Sequence, residues 1–183
     1  MKQNIKKIIS EIDLILSTIS DKEVERLVDE IIKARKIITI GAGRVGMMAR
    51  AFAMRLGHLG LQSFTTADAT IPAIGKEDLL IVCSGSGETQ AIYDLVLIGK
   101  THGVKVCAIT ARVNSKIGKA ADFIVSLKAP TKVDKDPKIK SIQPMTTLNE
   151  QCLMIFFDAV VLELMRELNE TEDSMWSRHS NLE

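Results

Sequence analysis

Asp78-Leu79-Leu80-Ile81-Val82-Cys83-Ser84-Gly85-Ser86-Gly87-Glu88-Thr89 decides the fold. Asp78–Ser84 is an apolar run bounded by turn residues, which reads as a buried strand. From Gln90 to His102 the pattern turns helical. The turn between them is made of glycine and hydroxylated residues. Gly85 and Gly87 let the backbone fold tightly with its N–H groups pointing inward. Ser84, Ser86 and Thr89 add short hydroxyl donors. The free amides and dipole at the start of the following helix favour an anion. No Gly-Lys-Ser/Thr follows, so the loop is not a nucleotide P-loop. A simple helix N-cap at Ser86 is the plainer reading, but one serine satisfies it. Three hydroxyls and two glycines sit at a strand's carboxyl end, where open α/β sheets bind ligands, and this favours the anion site.

The same alternation extends to both sides. Lys36–Ile40, Leu61–Thr66, Val104–Thr110 and Phe123–Leu127 read as further strands, and Arg44–Leu59 and Ser115–Ala121 as helices. Strands alternating with helices predict parallel pairing, right-handed crossovers and helices on both faces of the sheet. Residues 1–34 read as two helices. Ile5, Ile8, Ile9, Ile12, Ile15, Leu16 and Ile19 form an amphipathic stripe on the first. Ser20 and Glu23 have the spacing of a capping box that opens the second. Ala129–Pro144 is a loop with Pro130, Pro137, Pro144 and four lysines. Leu148–Leu168 is a long helix whose apolar surface is broad enough for burial on several sides, and Asn169–Glu183 is a polar tail. The whole chain, 1–183, is expected to form one domain.

Composition narrows the function. The 183 residues are 46% hydrophobic and 26% charged, which supports a packed core. The formal net charge of +1 leaves no broad footprint for nucleic acid. No apolar stretch is long enough for a membrane span, and no secretory leader is visible. Cys83, Cys107 and Cys152 lie in apolar runs and read as buried reduced thiols of a cytoplasmic protein. With no CxxC and no His/Cys cluster, a structural zinc is not expected.

Three further groups of residues could carry chemistry. Gly41-Ala42-Gly43-Arg44-Val45-Gly46 matches GxGxxG between a strand and a helix, with Asp68 following at roughly the dinucleotide-fold distance of about 20 residues. Asp68 lies past the expected strand end, and no sequence is left for a separate catalytic domain. Tight helix–strand packing and a ligand-lining role therefore stand about level, above nicotinamide binding. Thr147 and Glu150 have Thr-x-x-Glu capping-box spacing. Glu150 is also a carboxylate at a helix start after a long loop, a place that can face a cleft. His58 ends the helix after the glycine turn, where a histidine complements the dipole. His102 reads as an exposed helix end, and His179 lies in the polar tail.

Taken together, GAGR, MRLGHLG, SGSGET, QPMTTLNEQ and the terminal RHSNLE resemble the 6-phospho-3-hexuloisomerase branch of the sugar isomerase (SIS) domain family. The resemblance covers essentially the whole chain. It implies a three-layer αβα sandwich around a five-stranded parallel sheet, flavodoxin-like, in a homotetramer. It places phosphate binding on Ser84, Ser86, Gly87 and Thr89, and the glycine turn and adjacent arginine on Gly43 and Arg44. The catalytic carboxylate falls on Glu150, with histidines at His58 and His179. The implied reaction interconverts D-arabino-hex-3-ulose 6-phosphate and fructose 6-phosphate, with no metal or organic cofactor. This chain departs from the family pattern at Val45 (usually Ser), Gly57, Thr146 (usually Gly) and Asn149 (usually aromatic). A non-catalytic sugar-phosphate sensor, a dinucleotide-binding domain and an isomerase of another phosphosugar are the alternatives.

Overall fold

The computed structural model describes residues 1–134 and 139–182, so Pro137 of the loop and Glu183 of the tail lie outside the described residues. The chain runs α1 (Lys2–Leu16), α2 (Asp21–Lys33), β1 (Ile37–Gly41), α3 (Gly43–His58), β2 (Ser63–Thr65), β3 (Leu79–Cys83) and α4 (Gln90–Thr101). It continues through β4 (Lys105–Thr110), α5 (Lys116–Ala120), β5 (Phe123–Ser126), α6 (Thr147–Glu167) and α7 (Glu172–Trp176). The five strands pair in parallel in the order β2-β1-β3-β4-β5.

Alternate residues of each strand feed opposite layers, as the period of two requires. Ile37, Ile81, Cys107, Ile109 and Val125 point into a core shared with α1, α2, α3 and α6. Ile38, Ile40, Leu80, Val82 and Val106 point into a second core under α4 and α5. Helices therefore cover both faces of the sheet, and buried strands read as unbroken apolar runs. In the first core Phe52 of α3 stacks on Phe157 of α6, ring centroids 4.0 Å apart and 5° from parallel. Burying each ring contributes about 1.5–3 kcal/mol. This stack locks the two helices whose N-termini form part of the site. Among the described residues no helix is long and apolar enough to cross a membrane.

Two local expectations, both capping boxes, are overturned. Ser20 is the N-cap of α2, but its side chain makes no capping bond. Glu23 instead accepts from the Ser126 amide at 2.7 Å, tying α2 to the edge strand. Thr147 is the first helical residue of α6, with Thr146 at the cap, and its hydroxyl donates to the Pro144 carbonyl at 2.8 Å. The polar tail contains α7, with a capping box between Thr171 and Ser174.

Candidate functional site

The chain leaves β1 toward one edge of the sheet and β3 toward the other. Their carboxyl ends, paired at Gly41 and Cys83, therefore open a crevice between two diverging turns. The first turn is Gly41–Gly46. A Cβ on Gly46 would stand 2.4 Å from the Gly41 carbonyl oxygen, so these two glycines let α3 approach β1 closely. Gly43 has φ +57°, and open space faces its missing Cβ. Packing thus explains Gly41 and Gly46, while Gly43 opens onto the crevice.

The second turn is the Ser84–Thr89 loop, and its geometry is fixed before any ligand arrives. Ser84 Oγ accepts from the Gly87 amide at 3.1 Å, and Ser86 Oγ from the Glu88 amide at 3.3 Å. The Gly85 carbonyl accepts from the Ala111 amide at 3.0 Å and the Thr110 hydroxyl at 3.1 Å. The Gly87 carbonyl accepts from the Ile117 amide at 3.0 Å. The segment joining β4 to α5 therefore clamps the loop from outside. The N-cap of α4 is Thr89, whose side chain makes no capping bond, and this overturns the N-cap reading of Ser86. With no side chain spent on them, the Gln90 and Ala91 amides at the start of α4 remain for an anion, while the Ile92 amide donates to the Thr89 carbonyl at 3.1 Å.

The start of α6 forms the third wall. Glu150 is buried, and both of its carboxylate oxygens are engaged. Arg44 Nη1 lies 2.8 Å from Oε2, and the Thr146 hydroxyl donates to Oε1 at 2.8 Å. The expected Thr147–Glu150 box is not made, because the arginine on α3 and the preceding threonine take the carboxylate. Together these walls enclose a cavity of about 230 Å³, bordered by Gly43, Arg44, Ser84, Ser86, Thr89, Lys132, Asn149 and Glu150. That is below the ~300–1,000 Å³ of drug-sized sites and suits a small ligand. A larger cavity of about 530 Å³ lies between α2 and α6, but its charged lining is all acidic and repels a phosphate.

Gly87 borders no part of this cavity; with φ +63° it shapes the loop from behind. His58 and His179 lie elsewhere. Their rings are 5.3 Å apart at the far end of α3, beside Trp176, with Arg55 Nη1 3.3 Å from His58 Nδ1. Arg178 holds the tail there, donating to the His58 carbonyl at 2.9 Å and forking onto Glu170 at 2.8 and 2.9 Å. A helix of α3's length carries these rings roughly 20 Å from Gly43 within one subunit. Lys132 was not singled out from the sequence, though its signal was present: a lysine-rich loop between a strand's carboxyl end and a helix. Cys83 also borders the cavity, but burial pushes its thiol far up, as it pushes Cys152 up to about 12. Such a thiol is no nucleophile.

The chain matches the SIS domain family over residues 30–155. It is 39% identical to the 3-hexulose-6-phosphate isomerase of Bacillus subtilis over 178 residues, covering 97% of this chain and 96% of the relative. It is 38% identical to the enzyme of that name from Methanocaldococcus jannaschii over 160 residues, 87% of this chain and 84% of the relative. A crystal structure of a Methanococcus jannaschii protein, from which that same isomerase function was inferred, superposes with TM-score 0.85 at 34% identity. It covers 99% of both chains. In sequence and in fold alike, this chain belongs to the SIS domain family.

Proposed function

We propose that this chain is an isomerase that interconverts D-arabino-hex-3-ulose 6-phosphate and fructose 6-phosphate, the ribulose monophosphate pathway step that follows formaldehyde fixation. The observation that carries the reading is a buried carboxylate, Glu150, in the same small cavity as the Ser84–Thr89 anion loop. The full-length similarity to isomerases of this name supports the choice of sugar.

The reaction moves a carbonyl between adjacent carbons. A base takes the proton from the carbon beside the carbonyl, an enediol(ate) forms, and the proton returns to the neighbouring carbon. The loop hydroxyls and first-turn amides hold the phosphate, so binding energy from the unreactive end orients the reacting carbons. Glu150 is the base. Its Oε2 is paired with Arg44 at 2.8 Å. An arriving phosphate competes for that guanidinium, which frees a carboxylate oxygen to accept the proton, and Lys132 on the cavity border adds positive charge for the phosphate. Binding the correct charge thus arms the base.

The oxygens of the enediol(ate) need a proton donor, a role suited to imidazole near neutral pH. His58 and His179 take that role in a neighbouring subunit's site, since their own subunit holds them at the far end of α3. This requires an assembly, and a cytoplasmic homotetramer of single-domain subunits is the form we assign. Ile5 and Ile9 of α1 and Leu162 of α6 are 49%, 59% and 63% exposed, apolar surface that a partner covers. Light scattering at micromolar concentration is expected to give an oligomer's mass, and a monomer's mass refutes the shared site.

A substrate panel followed by NMR tests the reading. Fructose 6-phosphate is expected to equilibrate with its 3-ulose isomer faster than ribulose 5-phosphate or arabinose 5-phosphate isomerises. Faster conversion of either pentose phosphate would assign the site to another sugar. Ser86→Ala is expected to raise KM and the inhibition constant of inorganic phosphate severalfold, because it removes one hydroxyl from a preformed anion site. Its melting temperature should stay near that of the wild type. Unchanged kinetics would remove Ser86 from the site.

A further inference from the structure

Asn149 stands on the first turn of α6, one residue before Glu150, and is only 3% exposed. Its Nδ2 is fully buried and has no hydrogen-bond partner among the described residues. Folded proteins seldom leave a buried donor unpaired, because it has given up its water and gained nothing in return. An apolar residue would avoid that cost, and the resemblance places an aromatic here. The asparagine therefore calls for an explanation beyond the chain's own hydrogen bonds.

Its surroundings supply one. Asn149 borders the same cavity as the anion loop, Arg44 and Glu150. Its amide lies against Gly85 of that loop, so closely that a Cβ on Gly85 would stand 3.0 Å from both amide atoms. Asn149 thus lies against the loop backbone and one residue before the carboxylate, on the border of the cavity that holds both. The terminal torsion of an asparagine is broad, so the amide turns toward the cavity with no backbone change. An amide is also neutral at every working pH, so it neither competes with Glu150 for protons nor repels the phosphate.

We infer that Asn149 Nδ2 donates a hydrogen bond to an oxygen of the bound sugar, between its phosphate and the carbons that face Glu150, and so selects which sugar phosphates are accepted. The inference rests on the isomerase reading above. A site built to bond a hydroxyl discriminates strongly against an analogue that lacks it.

The test uses Asn149→Leu, close to isosteric, and Asn149→Ala, which cannot overpack. Each is expected to lower kcat/KM for hexulose 6-phosphate by about tenfold or more. The inhibition constant of inorganic phosphate is expected to stay unchanged, and the leucine protein is expected to melt at or above the wild-type temperature. Deoxy analogues of fructose 6-phosphate are expected to include one that binds the wild type more weakly than the parent but binds the variants equally well. Wild-type kcat/KM in either folded variant, with wild-type turnover intact, overturns the inference and leaves the isomerase reading standing. So does a parallel loss of phosphate affinity, which marks Asn149 as a prop for the loop. If the wild type itself shows no turnover, the isomerase reading fails instead. Calorimetry then decides for Asn149: a reduced ratio of fructose 6-phosphate to phosphate affinity in the variants supports the donor, and an unchanged ratio overturns it.

Discussion

Glu150→Gln is expected to lower turnover by at least about two orders of magnitude, the scale of losing a general base. Glutamine keeps the length and shape of the side chain and still accepts the Thr146 hydroxyl bond. It cannot take a proton from carbon, and it loses the charge that pairs with Arg44. Arg44 is 48% exposed and can turn back to water, while the Glu150 side chain is 9% exposed and glutamine there carries no charge to desolvate. Losing the pair is therefore expected to cost about 1 kcal/mol. In a chain of this size such a loss lowers the melting temperature by about 2–4 °C. Activity and stability should therefore separate cleanly. Near-normal turnover in Glu150→Gln would leave the carboxylate as nothing more than Arg44's partner. Steady-state kinetics beside a thermal melt makes the distinction.

Gly87→Ala is expected to damage the anion site and the fold together. Gly87 has φ +63°, where a Cβ costs about 1–2 kcal/mol. The added carbon would also stand 1.9 Å from Ser115 Oγ and 2.5 Å from Ser115 Cβ. Ser115 cannot yield freely, because it is buried and its hydroxyl caps α5 by accepting from the Gly118 amide at 3.2 Å. Overpacking of this kind adds about 1–3 kcal/mol. The combined loss corresponds to roughly 4–20 °C in melting temperature. Whatever folds should bind phosphate at least about tenfold more weakly, because the loop is displaced from the Ser84 hydroxyl that fixes it. A Gly87→Ala protein with wild-type phosphate affinity would show that the loop's shape is not what holds the anion. The contrast with Ser86→Ala is informative, since that change deletes a ligand group and one loop bond, the 3.3 Å bond from the Glu88 amide, but keeps the Gly87 turn and its Ser84 bond.

The layered architecture could be read from the chain because buried parallel strands carry their own signal. Leu79–Cys83 is apolar on both faces, Ile37–Gly41 is so except at Thr39, and each stops at a glycine-rich turn. Strand and helix ends shifted by a residue or two, as they do wherever the last ladder bond decides the boundary. Side-chain partners across the fold were less legible. Ser20-x-x-Glu23 and Thr147-x-x-Glu150 both have the spacing of a capping box, and neither forms one. In each case a partner from elsewhere takes the glutamate, the Ser126 amide for Glu23 and Arg44 for Glu150. Local spacing carries no information about such competitors. The tail helix α7 escaped notice because its box closes on Ser174, without the Glu or Gln that marks the motif.

The candidate site divides in the same way. Ser84, Ser86 and Thr89 were legible because the loop is contiguous in sequence. Arg44 and Glu150 are 106 positions apart and meet only because α3 and α6 pack with their N-termini at one crevice. The packing that places His58 beside His179 also removes both from that crevice. No pattern along the chain announces such an arrangement.

The most direct measurement is a coupled assay with the purified wild-type chain. Hexulose 6-phosphate is generated in place from ribulose 5-phosphate and formaldehyde by its synthase, and fructose 6-phosphate is measured as it forms. The expected result is fructose 6-phosphate production that scales with the amount of this protein and is competitively inhibited by inorganic phosphate. A steady supply of hexulose 6-phosphate with no fructose 6-phosphate above the synthase-only control would contradict the isomerase assignment.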